Sequence, residues 1–160
     1  MVVAPGSGHP AKNWPLNHYY ALTRALTWEQ GLKIGWLAGP AEAALLPVLS
    51  GLAGAYGHVL LANLPLTRVA VVISRCRLFL GGDSGLTHLA AALGVPVLAL
   101  FGPTDPRVWA PPGTRVRVLT GPCRQAPCAS GREIPCDTPW CLADLPPEQV
   151  LEAAIALISP

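Results

Sequence analysis

Two glycine-rich turns carry the residues that could do chemistry. In Gly81-Gly82-Asp83-Ser84-Gly85 the first two glycines allow a sharp bend. Asp83 then offers an N-cap to a helix that continues through Leu86-Thr87-His88 and is stopped by Gly94. A helix start presents unpaired N–H groups at the positive end of its dipole, a seat for phosphate or another anion. The other turn, Ala4-Pro5-Gly6-Ser7-Gly8-His9, follows an apolar start and has Lys12 just beyond it. Two anion-friendly turns on one small domain point to a diphosphate ligand.

Other chemistries fit these residues less well. The first turn follows only the looser G-x-G-x-x-A form, and no acidic residue ends the second strand, which argues against a nicotinamide or flavin site. Lys12 lacks the preceding glycine of a Walker A loop. A nucleophile elbow around Ser84 needs glycine two places on, where Leu86 stands. Ser84 and His88 lie one helical turn apart, as do Asp83 and Thr87. His88 is either a site residue or a histidine satisfied within the fold. Cys123, Cys128, Cys136 and Cys141 are spaced C-x4-C-x7-C-x4-C, without the C-x2-C pairs of strong zinc sites. Two short-range disulfides or four thiols are favoured over zinc there, and Cys76 reads as a core residue.

The elements that must position these turns alternate. Strands are expected at residues 2–4, 32–37, 58–62, 78–80, 97–101 and 114–119. Helices are expected at 16–30, at 41–52 with a kink at Pro47, at 67–76, after Asp83, and at 148–158. Residues 121–145 read as loop. Strand–helix alternation predicts an α/β fold, a Rossmann-like doubly wound parallel sheet. In the order 3-2-1-4-5-6 the first and fourth strands are neighbours, so both turns would flank one crevice at the carboxyl edge. The Pro-stiffened segment Phe101-Gly102-Pro103-Thr104-Asp105-Pro106 would line that same edge.

At 160 residues the chain makes one domain, and a strand starting at the second residue reads as a chain cut at a domain edge. Hydrophobic residues make up 51% and charged residues only 12%, so a core is easily built. A net charge of +2 carries no basic footprint for nucleic acid. No apolar run is long enough to span a bilayer and no signal peptide is evident, which makes a cytoplasmic protein the default expectation.

Pro5-Gly6-Ser7-Gly8, Lys12-x-Trp14-Pro15, the block from Gly82-Asp83-Ser84-Gly85 to Gly94-Val95-Pro96, and Leu100-Phe101-Gly102-Pro103-Thr104-Asp105-Pro106 resemble the bacterial heptosyltransferases, glycosyltransferase family nine. The likeness covers nearly the whole chain and is to the family's C-terminal half. It implies the donor-binding half of a GT-B fold, residues 1–160, in an inverting glycosyltransferase that takes a nucleotide sugar such as ADP-heptose. Carried over, Ser7, Gly8 and Lys12 meet the diphosphate, with Lys12 stabilising the leaving group. Asp83, Ser84, Gly85 and His88 approach phosphates and sugar, Glu42 the ribose, and Leu64 the base. Ser84 stands where relatives often have Thr, and the cysteine spacing is wider than the commoner family pattern. No cofactor is required by this reading. The general base and the glycolipid acceptor, of lipopolysaccharide type, belong to an N-terminal domain absent from this chain, which leaves the fragment inert alone. The full-length protein would be cytoplasmic or peripheral at the inner membrane, and the exposed cleft face leaves dimerisation open. Another GT-B sugar-nucleotide enzyme and a stand-alone nucleotide- or anion-binding module are the competing readings.

Overall fold

The computed structural model of the chain describes residues 1–129, 133–134 and 140–159. Strands β1 (Val2–Ala4), β2 (Gly35–Ala38), β3 (Val59–Ala62), β4 (Phe79–Gly82), β5 (Val97–Phe101) and β6 (Val116–Thr120) form one sheet in the order β3-β2-β1-β4-β5-β6. Every neighbouring pair is parallel, with Val3 opposite Trp36 on one side and Leu80 on the other. The helices are α1 (Leu16–Gln30), α2 (Leu46–Tyr56), α3 (Leu66–Ser74), α4 (Gly85–Ala92), α5 (Pro106–Trp109), α6 (Trp140–Ala143) and α7 (Pro147–Ile158). This is the expected doubly wound architecture, with the chain reversing direction across the sheet between β1 and β4.

Because side chains alternate along a strand, each central strand feeds two cores. Val3, Trp36, Leu80, Leu98 and Leu100 join Leu22, Leu26, Leu49 and Val150 on the face covered by α1, α2 and α7. Val2, Ala4, Leu37, Phe79, Val97 and Phe101 join Val69, Ile73 and Ala90 on the face covered by α3 and α4. Both faces of β1, β4 and β5 are therefore sealed, which explains why these strands read as unbroken apolar runs. The β-branched run in α3 is helical because it lies in the crossover between parallel strands of the sheet's two halves. β3 ends at Ala62, β4 starts at Phe79, and the nine residues of α3 are the one helix of that connection.

Three boundaries differ from expectation. The second strand starts at Gly35 instead of Leu32. Leu32 still belongs to the exit of α1, where its N–H donates to the Leu26 carbonyl at 3.3 Å past a left-handed Gly31. The expected kinked helix at 41–52 is a 3-10 turn, Pro40–Leu45, followed by α2, and Pro47 sits in the first turn of α2 where its missing N–H costs nothing. The loop at 121–145 contains the short helix α6.

Gly94 ends α4 at φ +73°, and no atom lies within 4 Å of the position its Cβ would take. Gly94→Ala is accordingly a pure backbone-strain change. It should cost about 1 kcal/mol, read as a lowered midpoint in urea unfolding with an unchanged m-value.

Candidate functional site

The carboxyl ends of β1 and β4 are adjacent, so the loops leaving them must meet. Trp14 anchors the first loop: its indole N–H donates to the Leu145 carbonyl at 3.0 Å, and its ring stands edge-on to Tyr19 with centroids 4.8 Å apart. Gly82 makes the second loop narrow. A Cβ there would lie 3.0 Å from the Lys12 carbonyl oxygen, so glycine lets the two backbones pass closely. The result is an ion pair across the loops, Lys12 Nζ to Asp83 Oδ2 at 2.7 Å, with the two side chains 24% and 10% exposed.

That pair corrects one expectation. Asp83 does not cap α4, because its carboxylate is turned to Lys12. Ser84 holds the N-cap position in extended conformation, but its side chain makes no cap hydrogen bond. Ser84 Oγ lies 3.2 Å from Thr87 Oγ1, and the Thr87 hydroxyl donates to the Gly82 carbonyl at 2.6 Å. The first N–H groups of α4 are left without a side-chain cap, and Ser84 and Gly85 at that helix start line the cleft. The other loop contributes no α-helix start of its own. Pro10–Lys12 is a three-residue 3-10 turn, so the dipole that bears on the cleft is that of α4 alone.

Two hollows share the wall formed by Gly8, Ser84 and Gly85. One, of about 470 Å3, is the more polar of the two and is lined by Lys12, Asp83, His88, Thr104 and Trp109. The other, of about 700 Å3, is lined by Leu37, Leu61, Leu64, Val69 and Leu89, with Glu42, Ser7 and Asn63 among its polar residues. All the residues expected at the site from the first loop, the second loop, Glu42 and Leu64 therefore border one or both of these adjoining hollows.

Their individual roles differ. The Ser7 hydroxyl lies 2.9 Å from the His9 carbonyl oxygen and 2.7 Å from Asn13 Oδ1, so its single proton is donated within its own loop to one of these acceptors. Glu42 is buried, and its Oε2 accepts the Gly39 N–H at 2.7 Å. Its other oxygen lies against Gly6, where a Cβ would overlap it. Burial, and secondarily the Glu42 carboxylate, push the Tyr19 phenol far above its ordinary pKa, so that ring stays neutral beneath the site. His88 Nε2 lies 3.1 Å from the Trp109 carbonyl oxygen, tying α4 to α5.

Sequence reasoning did not single out Asn63, and it met Gly6, Thr104 and Trp109 only as members of the first glycine-rich turn and of the proline-rich stretch after β5. Asn63 sits in the left-handed region at φ 51° at the end of β3. The apolar positions flanking it gave no hint of this, although asparagine is among the residues that tolerate it. Trp109 and Thr104 were signalled only by the Pro-rich segment after β5.

Of the four loop cysteines, Cys123 and Cys128 are half-buried and Cys141 is buried in α6. Cys136 lies outside the described residues, so the expectation of disulfides or thiols for the set falls partly there. Among the described residues no group of three or more His, Cys, Asp or Glu side chains could hold a metal ion. No helix among them is long and apolar enough to cross a membrane.

The family model described as glycosyltransferase family 9 (heptosyltransferase) matches residues 1–136. The lipopolysaccharide heptosyltransferase 2 of Escherichia coli (strain K12) is 33% identical over 159 residues, covering 93% of this chain and 43% of that relative. The lipopolysaccharide heptosyltransferase 1 of Pseudomonas aeruginosa is 35% identical over 109 residues, covering 66% of this chain and 29% of the relative. Among solved structures, the E. coli ADP-heptose lipopolysaccharide heptosyltransferase II superposes with a TM-score of 0.79 at 29% identity, over 98% of this chain and 45% of that one. An E. coli heptosyltransferase solved with ADP has the same fold, with a TM-score of 0.79 at 24% identity over 98% of this chain and 43% of that one. The chain thus spans less than half the length of these relatives.

Proposed function

The chain belongs to glycosyltransferase family 9, and on that premise we propose that it is the donor-binding, C-terminal half of an inverting GT-B glycosyltransferase that uses a nucleotide-diphosphate sugar of the ADP-heptose class. The observation that carries this reading is the junction of the two hollows. Beside it, in the hollow lined by Lys12, the Lys12 Nζ and the Asp83 carboxylate 2.7 Å from it stand next to the uncapped start of α4.

The apolar hollow takes the nucleoside. Leu64 packs on the base, and Glu42 is placed for the ribose hydroxyls. The diphosphate lies along Gly8, Ser84 and Gly85, where loop N–H groups and the helix dipole favour negative charge. The sugar then falls in the polar hollow, beside Asp83 and His88. In the transfer, the bond from the anomeric carbon to the distal phosphate oxygen breaks, and its electron pair stays on the nucleoside diphosphate. The acceptor oxygen attacks from the opposite face and gives its proton to a base. Lys12 and the α4 N-terminus stabilise the charge developing on the leaving group, the kind of fixed electrostatic help that contributes most to many transfers.

The base and the site for a lipopolysaccharide-type glycolipid belong, in this reading, to a companion N-terminal domain. The isolated half binds donor without turning it over, in the cytoplasm or at the inner membrane surface where such an acceptor is presented. The names of its relatives, lipopolysaccharide heptosyltransferases and an ADP-heptose enzyme, support the donor and acceptor classes.

Calorimetric titration with ADP, ADP-heptose, AMP and UDP tests it. ADP and ADP-heptose should bind, with AMP at least about tenfold weaker because it lacks the second phosphate at the Lys12 wall. Equal affinity for AMP and ADP would remove the diphosphate site. Preference for UDP would instead move the protein to another GT-B sugar-nucleotide enzyme.

A further inference from the structure

The outer face of α1 carries side chains that the fold does not use. Trp28, in the last turn, is 79% exposed, the most exposed large apolar side chain among the described residues. An indole is among the groups that gain most from burial, and within the chain nothing covers this one. Beside it lies a hollow of about 500 Å3, lined by Ala21, Arg24, Ala25, Trp28, Glu29 and Tyr56. The two alanines keep the helix surface low next to the tall indole.

The rim of this hollow is already ordered. Arg24 Cζ lies 5.9 Å from the Tyr20 ring centroid, and the Tyr20 hydroxyl is 2.7 Å from that of Tyr56. Arg24 and Tyr56 are thereby held in place before anything enters, which lowers the ordering cost of an association. Tryptophan, tyrosine and arginine are also the side chains that dominate the energetics of protein interfaces.

The placement of the charges identifies the partner. A helix turns about 100° per residue, so Arg24 and Glu29 stand roughly 140° apart, with Ala21, Ala25 and Trp28 between them. In heptad terms the alanines and the tryptophan hold the seam, and one charge flanks it on each side. Neither charge belongs to an ion pair among the described residues. A patch with one sign on each flank is complementary to itself. A two-fold axis parallel to α1 carries the Arg24 flank of one copy onto the Glu29 flank of the other, and the reverse. An axis across the helix would set Arg24 against Arg24. A strongly acidic or basic partner would satisfy one flank only.

We propose that α1 is a self-association surface, on which two copies of this chain pair their α1 helices side by side and parallel. Trp28 of each copy packs over the alanines of the other, and Arg24 of each meets Glu29 of the other. The helix leaves β1 at the carboxyl edge of the sheet and returns to the start of β2, so Trp28 lies at the opposite edge from the cleft. The pairing therefore leaves both hollows of the donor site open and is independent of how they are used. His18, one heptad before Ala25, is turned to Trp14 with ring centroids 5.4 Å apart, so the seam is short. The dimer is accordingly weak, with a dissociation constant on the order of 10–100 μM.

Sedimentation equilibrium over a concentration series tests this on the parent chain, Trp28→Ala, Arg24→Glu and Glu29→Arg. The parent should pass from monomer to dimer. Trp28→Ala should weaken that step at least about tenfold. Arg24→Glu and Glu29→Arg should each stay monomeric, because each alone sets like charges together on both flanks. Their equimolar mixture should dimerise about as strongly as the parent, since every flank then joins opposite charges. In dilute solution all three variants should melt within about 2 °C of the parent, because the changed side chains are exposed. A parent that stays monomeric up to about 500 μM overturns the proposal. So does a parent dimer that Trp28→Ala leaves intact, which would put the interface on another face. A mixture that associates no better than its two components overturns it as well.

Discussion

Lys12→Met should weaken ADP binding about ten- to a hundredfold, the loss expected when one charge-assisted contact to a phosphate is removed. In the complete enzyme the loss in turnover should be larger, about a hundredfold or more. Charge on the departing diphosphate grows as the glycosidic bond breaks, so the ammonium matters more in the transition state than in the ground state. The geometry sets this size. Lys12 is held by Asp83 at 2.7 Å and is only 24% exposed, so its charge is partly shielded from solvent and fixed at the border of the smaller hollow. Methionine keeps most of the aliphatic stem, so packing of the loop against Gly82 should survive. Arginine is not a neutral replacement, because its planar fork is bulkier than a point ammonium in this narrow place. Asp83→Asn provides the control. It frees Lys12 from its partner without removing the cation, so ADP binding should fall far less than in Lys12→Met. If Lys12→Met binds ADP as well as the parent, the diphosphate does not lie at this wall. Calorimetry of the two variants side by side decides the matter.

Gly6→Ala should cost about 2–3 kcal/mol of folding stability, and it should also damage nucleotide binding. A Cβ at position 6 would stand 2.7 Å from Glu42 Cδ and 2.8 Å from Cγ, and it would overlap Oε1. Glu42 has little room to retreat. It is 7% exposed and its other oxygen is committed to the Gly39 N–H. Either the carboxylate is expelled, losing the cap of the 3-10 turn, or the tip of β1 shifts and takes Ser7 and Gly8 with it. For a domain of this size the stability loss should lower the melting temperature by roughly 4–12 °C. A double-mutant cycle separates this cause from a generic glycine effect. In a Glu42→Ala background the same substitution should cost under about 1 kcal/mol, because the obstructing side chain is gone. An undiminished cost there would mean that Gly6 serves something other than room for Glu42.

The two variants probe two adjoining hollows, and together they separate charge from shape. Lys12→Met should leave the apolar hollow intact, so adenosine, which lacks phosphate, should bind it no worse than the parent. Gly6→Ala disturbs Glu42 and the loop at once, so it should weaken adenosine and ADP alike.

The sequence by itself determined the order of the elements and, through their strict alternation, a parallel sheet, while β1 beside β4 followed only if the strands took the 3-2-1-4-5-6 order that the structure has. It also placed the two glycine-rich turns at one edge. Those features follow from local rules: apolar runs of strand length, a glycine where a helix must end, and a crossover helix between parallel strands. Lys12, Asp83 and Ser84 were legible as neighbours for the same reason. The tertiary structure alone decided what each of them does there. Whether Asp83 caps a helix or binds a lysine 71 residues away depends on how closely two backbones pass at Gly82. Gly6 matters because the carboxylate of Glu42, far along the chain, fills the space its side chain would have taken. Thr104 looks like one more polar residue in a proline-rich loop until the fold buries its hydroxyl and supplies no partner. These are properties of distances between segments remote in sequence, and no local pattern encodes them.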